Sequence, residues 1–565
     1  MIKTSQRPYA AESARQLAEM GIEPLLARIY AARGIHSAAQ LQSGLQHLLP
    51  FTQLKNVQQM ASILADAIST QRKILIVADY DADGATACAV GMRGLRMFGA
   101  NVDFIVPNRF EYGYGLTPEI VRMAAQHTPD ILITVDNGIS SVEGVAEANR
   151  LGMQVLITDH HLPGDALPDA LCIVNPNQPG CSFPSKNLAG VGVIFYVLLA
   201  LRAELRARGA YTDHAEPNLG NLLDLVALGT VADVVKLDEN NRILVHQGLL
   251  RICAARTCCG IHALLQVAGK HPANVSTFEL GFIVGPRLNA AGRMEDMSLG
   301  ITCLITDDAS EAAEIAARLN TLNDARKNIE TEMQQTALAS LEHITPAGAF
   351  SLTLFDESWH QGVIGILASR LKDRYHRPVI VFARSPDGEL KGSGRSIHAL
   401  HLRDALDLVS KRHPHLLQKF GGHAMAAGLS LREEHFDEFK AAFEAVTQGL
   451  LSPADLTQII ETDGQLAPPE FSLSTARKLD QQVWGQGFPQ PLFEGDFTVR
   501  SQRIIGEKHL KLQLASSDAT YSAICFFHAE PMPPSIQAVF NLAVNEYNGN
   551  ASLQLIVRHW QQAGM

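Results

Sequence analysis

Between residues 54 and 174 the apolar positions fall into short continuous runs, at 74–78, 102–106, 131–135, 155–158 and 172–174. Runs of this kind are the pattern of strands buried on both faces. Stretches at 85–97 and 117–125 separate most of them and read as helices. The alternation predicts an α/β fold, a parallel sheet covered by helices, with ligands bound at the carboxyl ends of the strands. Ahead of it, residues 11–20 and 23–32 carry apolar positions at helical spacing. Beyond it, Asp308-Ala309-Ser310-Glu311 is a helix start. Ile315, Leu319, Leu322, Ile329 and Met333 then recur with no Gly or Pro until Pro346, which predicts one long connecting helix. A smaller α/β unit follows, with strands at 350–354 and 379–382 and Gly-rich turns at 391–396 and 420–425. Five short strand candidates, at 497–500, 510–514, 522–527, 538–544 and 553–557, predict a terminal β-barrel of the oligonucleotide-binding (OB) type.

The strand ends carry the chemistry. The first run ends in Asp79-Tyr80-Asp81-Ala82-Asp83-Gly84. Three carboxylates so close together are costly unless cations sit among them. A calcium loop of the EF-hand type is excluded, because its obligatory glutamate would fall at Val90 and its flanking helix is replaced by a β-rich run. Two further runs end in Asp136-Asn137-Gly138 and Asp159-His160-His161, and the segment 222–230, read as a further strand, leads into Asp233. Singly, such residues read as turn or helix-cap groups. Four acid-bearing strand ends on one edge read as one site. Carboxylates with imidazole and no thiolate suit Mn²⁺ or Mg²⁺ rather than structural zinc. Two such ions about 3.5–4 Å apart serve in-line displacement at phosphorus. With no GxxxxGK[ST] loop in the chain, metal-dependent phosphoester hydrolysis is the reaction class indicated.

At 565 residues the chain is long enough for two to four domains. A formal net charge of −11 argues against a nucleic-acid partner, until its distribution is considered. From residue 370 to 423 there are eleven Lys and Arg against five Asp and Glu, with six histidines. From 456 onward the balance is acidic, and only Arg500, Arg503, Lys508 and Lys511 form a local basic edge. The eight cysteines include no CxxC pair and read as buried thiols. Residues 1–15 lack an apolar signal core and no apolar segment has membrane-spanning length, so a cytoplasmic protein is expected.

Asp79-x-Asp81-x-Asp83-Gly84 with Asp159-His160-His161 resembles the DHH phosphoesterase superfamily, and Asp136-Asn137-Gly138 and Gly229-Thr-Val-Ala-Asp233 match its other motifs. Residues 109–115, 285–293, 392–395 and 421–423 extend the resemblance to that superfamily's bacterial exonucleases specific for single-stranded DNA. The resemblance implies a helical extension at 1–53, a DHH metal-binding catalytic domain at 54–307, a connecting helix at 308–345, a DHH-associated domain binding the DNA end at 346–455 and an OB-type nucleic-acid-binding domain at 456–565. It implies 5′→3′ hydrolysis by two Mn²⁺ or Mg²⁺ ions, releasing mononucleotides in recombination and repair. Asp81 and Asp136 would hold one ion, and Asp83, Asp136, His160 and Asp233 the second, with Asp79 and Asp159 behind them and His161 facing the scissile phosphate. Ser393 and Arg395 would clamp the 5′ end, with Arg287, Asn289, Tyr114, Gly421, Gly422 and His423 as further substrate contacts. Taken singly, Arg395 and Arg287 read equally well as structural ion pairs, Tyr114 as a partly buried loop residue and His423 as a capping or core histidine. The implied partners are 5′-phosphorylated single-stranded DNA, a single-strand-binding protein and a helicase, with no membrane. The rival within the superfamily is a phosphodiesterase of short oligonucleotides or cyclic dinucleotides.

Overall fold

The computed structural model describes residues 2–107, 115–212, 214–342, 348–385, 388–516, 519–547 and 550–563. The chain divides into two compact units, Gln6–Asn320 with Glu461–Met565, and Met1–Ser5 with Thr321–Ile460.

In the first unit the five predicted runs form one parallel sheet, ordered Asn101–Ile105, Lys73–Ala78, Ile131–Val135, Gln154–Thr158 and Cys172–Val174. Alternate residues face opposite cores. Ile74, Ile76, Ile131, Ile133 and Leu156 meet helices Val57–Ser69, Ala82–Met97 and Gly190–Ala207. Leu75, Val77, Leu132, Val155 and Ile157 meet Pro118–Ala125 and Val142–Arg150. Burial on both faces is why these strands read as unbroken apolar runs. The chain leaves Lys73–Ala78 for one neighbour and later returns to the other, so the order reverses between Lys73–Ala78 and Ile131–Val135. In open α/β sheets that reversal opens a crevice at the carboxyl edge. Asp79 and Asp136 follow these two strands.

The segment leading to Asp233 is not a strand but the helix Leu223–Ala232, with Asp233 as its C-cap. Every residue from Leu223 to Thr230 is buried, and a helix buried all round shows the same apolar run as a central strand.

The same unit contains the terminal barrel, closed in the order Phe493–Ile505, His509–Ser516, Ala519–Cys525, Asn550–Gln562 and Ser535–Tyr547. Helices Ala11–Glu19 and Pro24–Ala31 share a core with it through Leu17, Leu25, Ile29, Trp484, Phe488 and Phe540. Arg33 pairs with buried Asp463 at 2.7 Å across this core. The two N-terminal helices and the terminal barrel are therefore one packed body.

In the second unit a sheet runs in the order Lys419–Gly422, Ala426–Arg432, Glu389–Arg395, Val379–Arg384 and Leu352–Phe355. The segment 391–396, expected as a Gly-rich turn, is mostly strand. Gly392 and Gly394 point inward, where an added Cβ would lie 2.5 Å from Phe382 and 2.7 Å from Leu402. Glycine is used there for close packing, not for turning. The helix Ala309–Glu342 realises the long helix expected between the α/β segments. Among the described residues no helix is long and apolar enough to cross a membrane.

Candidate active site

The carboxylates of the first loop occupy three different environments. Asp79 follows its strand and takes the Tyr80 amide on Oδ1 at 2.8 Å. Asp81 is the N-cap of Ala82–Met97, its Oδ1 accepting from the amides of Asp83 and Gly84. Asp83 is fully enclosed and accepts from the amides of Gly190 (2.6 Å) and Val191 (2.9 Å), the first residues of Gly190–Ala207. The positive end of that helix stabilises the carboxylate. Nothing in the motifs singled out Gly190; an alanine there would put its Cβ 2.5 Å from the Cβ of Asp136.

Asp136 adopts a left-handed backbone with φ 62°, which an aspartate tolerates better than most residues. Its neighbour Asn137 is buried and donates to the carbonyls of Val77 and Val135, tying the ends of two strands together. His160 Nε2 lies 3.0 Å from Asp136 Oδ1, 3.5 Å from Asp233 Oδ2 and 3.9 Å from Asp83 Oδ2. Asp159 Oδ1 accepts from the amides of His160 and His161 and from His161 Nδ1 at 2.7 Å, while its Oδ2 accepts from the Ile139 amide. Asn175 and Asn177 hold the carbonyls of His161 and His160.

The electrostatics divide the site. Burial pushes Asp83 up to about 7, helped by Asp233 and Asp81. Burial also raises Asp233 to about 7, with Asp81 contributing. Asp136 is held well above the carboxylate range by burial and then by Asp83, Asp81, Asp79 and Asp233. Asp159 goes the other way: burial opposes it, but the His161 hydrogen bond and charge hold it low. Burial lowers His160 and the neighbouring His161 lowers it further, so it stays neutral. Burial also opposes protonation of His161, but its bond to Asp159 and the carboxylates of Asp233 and Asp79 carry it up to about 9. Adjacent imidazoles are thus set to opposite states, one a lone-pair donor and one a proton donor.

This site fits divalent cations. Asp136 Oδ1, His160 Nε2 and Asp233 Oδ2 are buried without hydrogen bonds among the described residues, although they face one another. Donor atoms of Asp79, Asp81 and Asp136 lie within 4.8 Å of each other, as do those of Asp83, His160 and Asp233, and those of Asp136, His160 and His161. Mutually repelling carboxylates with orphaned atoms are what a cation between them would satisfy.

The other expected residues fall into separate places. Asn289 Oδ1 accepts from the Ala82 amide and so braces the first loop. Arg287 is buried, bonding Asn320 and the Ile283 carbonyl. Tyr114 lies outside the described residues. In the second unit Ser393 and Arg395 sit on the half-exposed face of their strand, alternating with the inward glycines. Arg395 Nη1 reaches Ser393 Oγ at 3.1 Å and the Gly394 carbonyl at 2.8 Å. A Cβ on Gly365, at the start of helix Ile364–Tyr375, would lie 3.0 Å from both Arg395 Nη2 and Ser393 Oγ. Ser393, Gly428 and Gly421 are in register across three strands, with open space over both glycines. Gly422 is the last residue of its strand, with φ 141°, and His423 follows it in the turn, its amide on the Ala426 carbonyl. An arginine and a helix N-terminus thus lie beside an open row of glycines, a setting for phosphate.

Residues 73–230 match the DHH family N-terminal domain, 348–449 the DHHA1 domain and 462–559 the RecJ OB domain. The chain is 48% identical to the single-stranded-DNA-specific exonuclease RecJ of Salmonella typhimurium over 568 residues, covering 98% of each. It is likewise 48% identical to RecJ of Escherichia coli, covering 95% of each. The crystal structure of RecJ from Thermus thermophilus in complex with Mn²⁺ superposes with a TM-score of 0.84 at 30% identity, covering 100% of this chain and 80% of that one. With the carboxylate-histidine centre at the switch point of its parallel sheet, the chain belongs to the RecJ family of DHH-domain proteins.

Proposed function

We propose that the chain is a single-stranded-DNA-specific exonuclease, hydrolysing phosphodiester bonds from the 5′ end and releasing mononucleotides, in DNA recombination and repair in the cytoplasm. The observation that carries this reading is the cluster of orphaned carboxylate and imidazole atoms around Asp136, in a chain alike along its whole length to RecJ. Asp81 and Asp136 would hold one Mn²⁺ or Mg²⁺ and Asp83, Asp136, His160 and Asp233 the other, which when bound supply an activated water and neutralise charge at the phosphate. Asp79 and Asp159 orient the groups in front of them. His160 stays neutral so that its lone pair is available.

Hydrolysis at the terminal nucleotide breaks the bond from phosphorus to its 3′ oxygen, which must gain a proton. His161, protonated and held through Nδ1 by Asp159, is the donor. His161→Gln is expected to lower turnover by about 10²–10⁴-fold and to remove the alkaline limb of the pH–rate profile. An unchanged profile would assign the proton to another group.

The shortened strand keeps a 5′ phosphate, so a phosphate site is regenerated after each cut. Ser393, Arg395 and the N-terminus of Ile364–Tyr375 are that site in this reading, with Gly421 and Gly422 at the end of their strand, which was expected as part of a Gly-rich turn, and His423 in the turn after it. Arg395→Ala is expected to raise KM for 5′-phosphorylated strands by about 10–100-fold, with little change for 5′-hydroxyl strands. An equal loss on both kinds of strand would show that Arg395 does not read the phosphate.

On the barrel, Phe527 is 85% exposed in a left-handed conformation and stands with Phe526 edge-on to His509, near Lys508 and Lys511. Exposed rings beside cations are a stacking platform for unpaired bases. Replacing both phenylalanines by alanine is expected to weaken binding of long single strands about tenfold without altering dinucleotide turnover. Loss on both substrates, or on neither, would remove the barrel from strand binding.

A single-strand-binding protein and a helicase are the proposed partners, since they supply and present the substrate; stimulation of digestion by each, measured on duplex with a 5′ tail, checks this. The decisive test of the whole reading is end-labelled DNA digested with Mn²⁺ or Mg²⁺ beside a dinucleotide. Release of the 5′ label as mononucleotide from single strands is expected. Faster hydrolysis of the dinucleotide would point to a phosphodiesterase of short oligonucleotides.

A further inference from the structure

A second group of metal-ligating side chains lies in the second unit and includes none of the residues assigned above. His413 and His415 follow helix Leu402–Arg412, while His435 and Glu438 stand at the start of helix Phe436–Leu450. His415 Nε2 is 3.1 and 3.2 Å from the two oxygens of Glu438, and His413 Nδ1 is 3.8 Å from Glu438 Oε1. The rings of His415 and His435 are 5.4 Å apart, and those of His413 and His415 6.4 Å. One donor atom each from His415, His435 and Glu438 lies within 4.8 Å of the others.

We propose that His415, His435 and Glu438 form a second metal site, for a borderline divalent cation of the Zn²⁺ class, with His413 positioned to complete it. A tetrahedral zinc site with bonds of about 2.0–2.1 Å places its donors about 3.3 Å apart, which small side-chain rotations reach from the observed arrangement. Imidazole-rich sets prefer zinc, nickel or copper, whereas the carboxylate-rich centre around Asp136 suits manganese or magnesium. The two sites therefore select different ions.

The helix N-terminus would by itself repel a cation. Here Asp437 and Glu438 in the first turn oppose that effect, while Glu433 and Glu434 just ahead of it are paired with Arg384 (2.6 Å) and Arg432 (3.6 Å). The bound ion would staple the segment ahead of strand Lys419–Gly422 to helix Phe436–Leu450. Without an ion His415 and Glu438 share an exposed hydrogen bond, which contributes little to stability.

Equilibrium dialysis of the full-length protein against Zn²⁺, in excess Mg²⁺, measures the number of ions bound and their affinity. The His415→Ala/His435→Ala variant is expected to bind one zinc fewer per chain, and Glu438→Gln to bind that ion about 10–100-fold more weakly. Zinc absorption spectroscopy of the Asp136→Asn protein is expected to show imidazole ligation, lost in the double histidine variant. His415 and Glu438 are exposed and His435 is half-buried, and matching far-UV circular dichroism verifies the folding of both variants. An unchanged zinc count in the double variant, or an affinity for this ion only in the millimolar range, overturns the proposal.

Discussion

Asp136→Asn is expected to reduce hydrolysis of single-stranded DNA by at least about 10²–10³-fold while leaving strand binding intact. Asp136 takes part in two of the donor groups of the centre, one with Asp79 and Asp81 and one with His160 and His161, and it also lies 3.0 Å from His160. Asparagine keeps its shape and tolerates φ 62°, so what is lost is charge and a ligand oxygen, not the fold. The same substitution has an opposite effect on the metal-free protein. Asp136, Asp83 and Asp233 are all raised from an ordinary value of 3.8. Groups raised in the folded state contribute stability below their unfolded pKa, and that contribution is lost as pH rises through the folded value, which for Asp83 and Asp233 is about 7. In chelator, wild-type stability should therefore fall between about pH 5 and pH 8, and Asp136→Asn should fall less. Thermal unfolding in chelator at the two pH values, beside a nuclease assay in Mn²⁺, measures both halves. Undiminished hydrolysis would refute Asp136 as the shared ligand.

Gly190→Ala should damage the centre although it removes no functional group. The Cβ would fall 2.5 Å from the Cβ and 2.6 Å from Oδ1 of Asp136, while the Gly190 amide donates to Asp83 at 2.6 Å. Neither side can give way cheaply. Asp136 is buried at the turn after its strand, and Gly190 opens a helix packed within the core. Overpacking of this kind costs about 1–3 kcal/mol. Displacing two ligands together should weaken metal affinity about 10–100-fold. Titration of activity against Mn²⁺, with a melting curve in chelator, separates the two effects. A variant with wild-type metal dependence would mean that the helix start relaxes without moving Asp83 or Asp136.

Much of this is legible in the sequence. The sheet was visible because strands buried on both faces leave unbroken apolar runs, and its active edge because carboxylates follow those runs. The Leu223–Ala232 helix misled for the same reason: enclosed on all sides, it has no polar face to betray its period. Lys391–Ser396 misled because glycines in a strand and in a turn look alike in sequence; only the packing of Phe382 and Leu402 against Gly392 and Gly394 distinguishes them. Gly190 and Val191 carried no signal, since they act through backbone amides that nearly every residue possesses. Phe527 carried none either, because its exposure depends on a backbone conformation.

The sequence by itself determined which groups the chain brings to its chemistry: the aspartates and histidines of the four motifs, the parallel sheet that presents them, and so the class of metal and reaction. Such information is local, held in residue type and in the apolar period around it. Only the tertiary structure decided how those groups differ. Asp83 is met by amides 107 and 108 residues away, His160 and His161 are driven to opposite protonation by burial and by Asp159, and Asp136 stands among carboxylates from two other segments. A pKa depends on distance and desolvation, and both are set by the packing of segments remote in the chain.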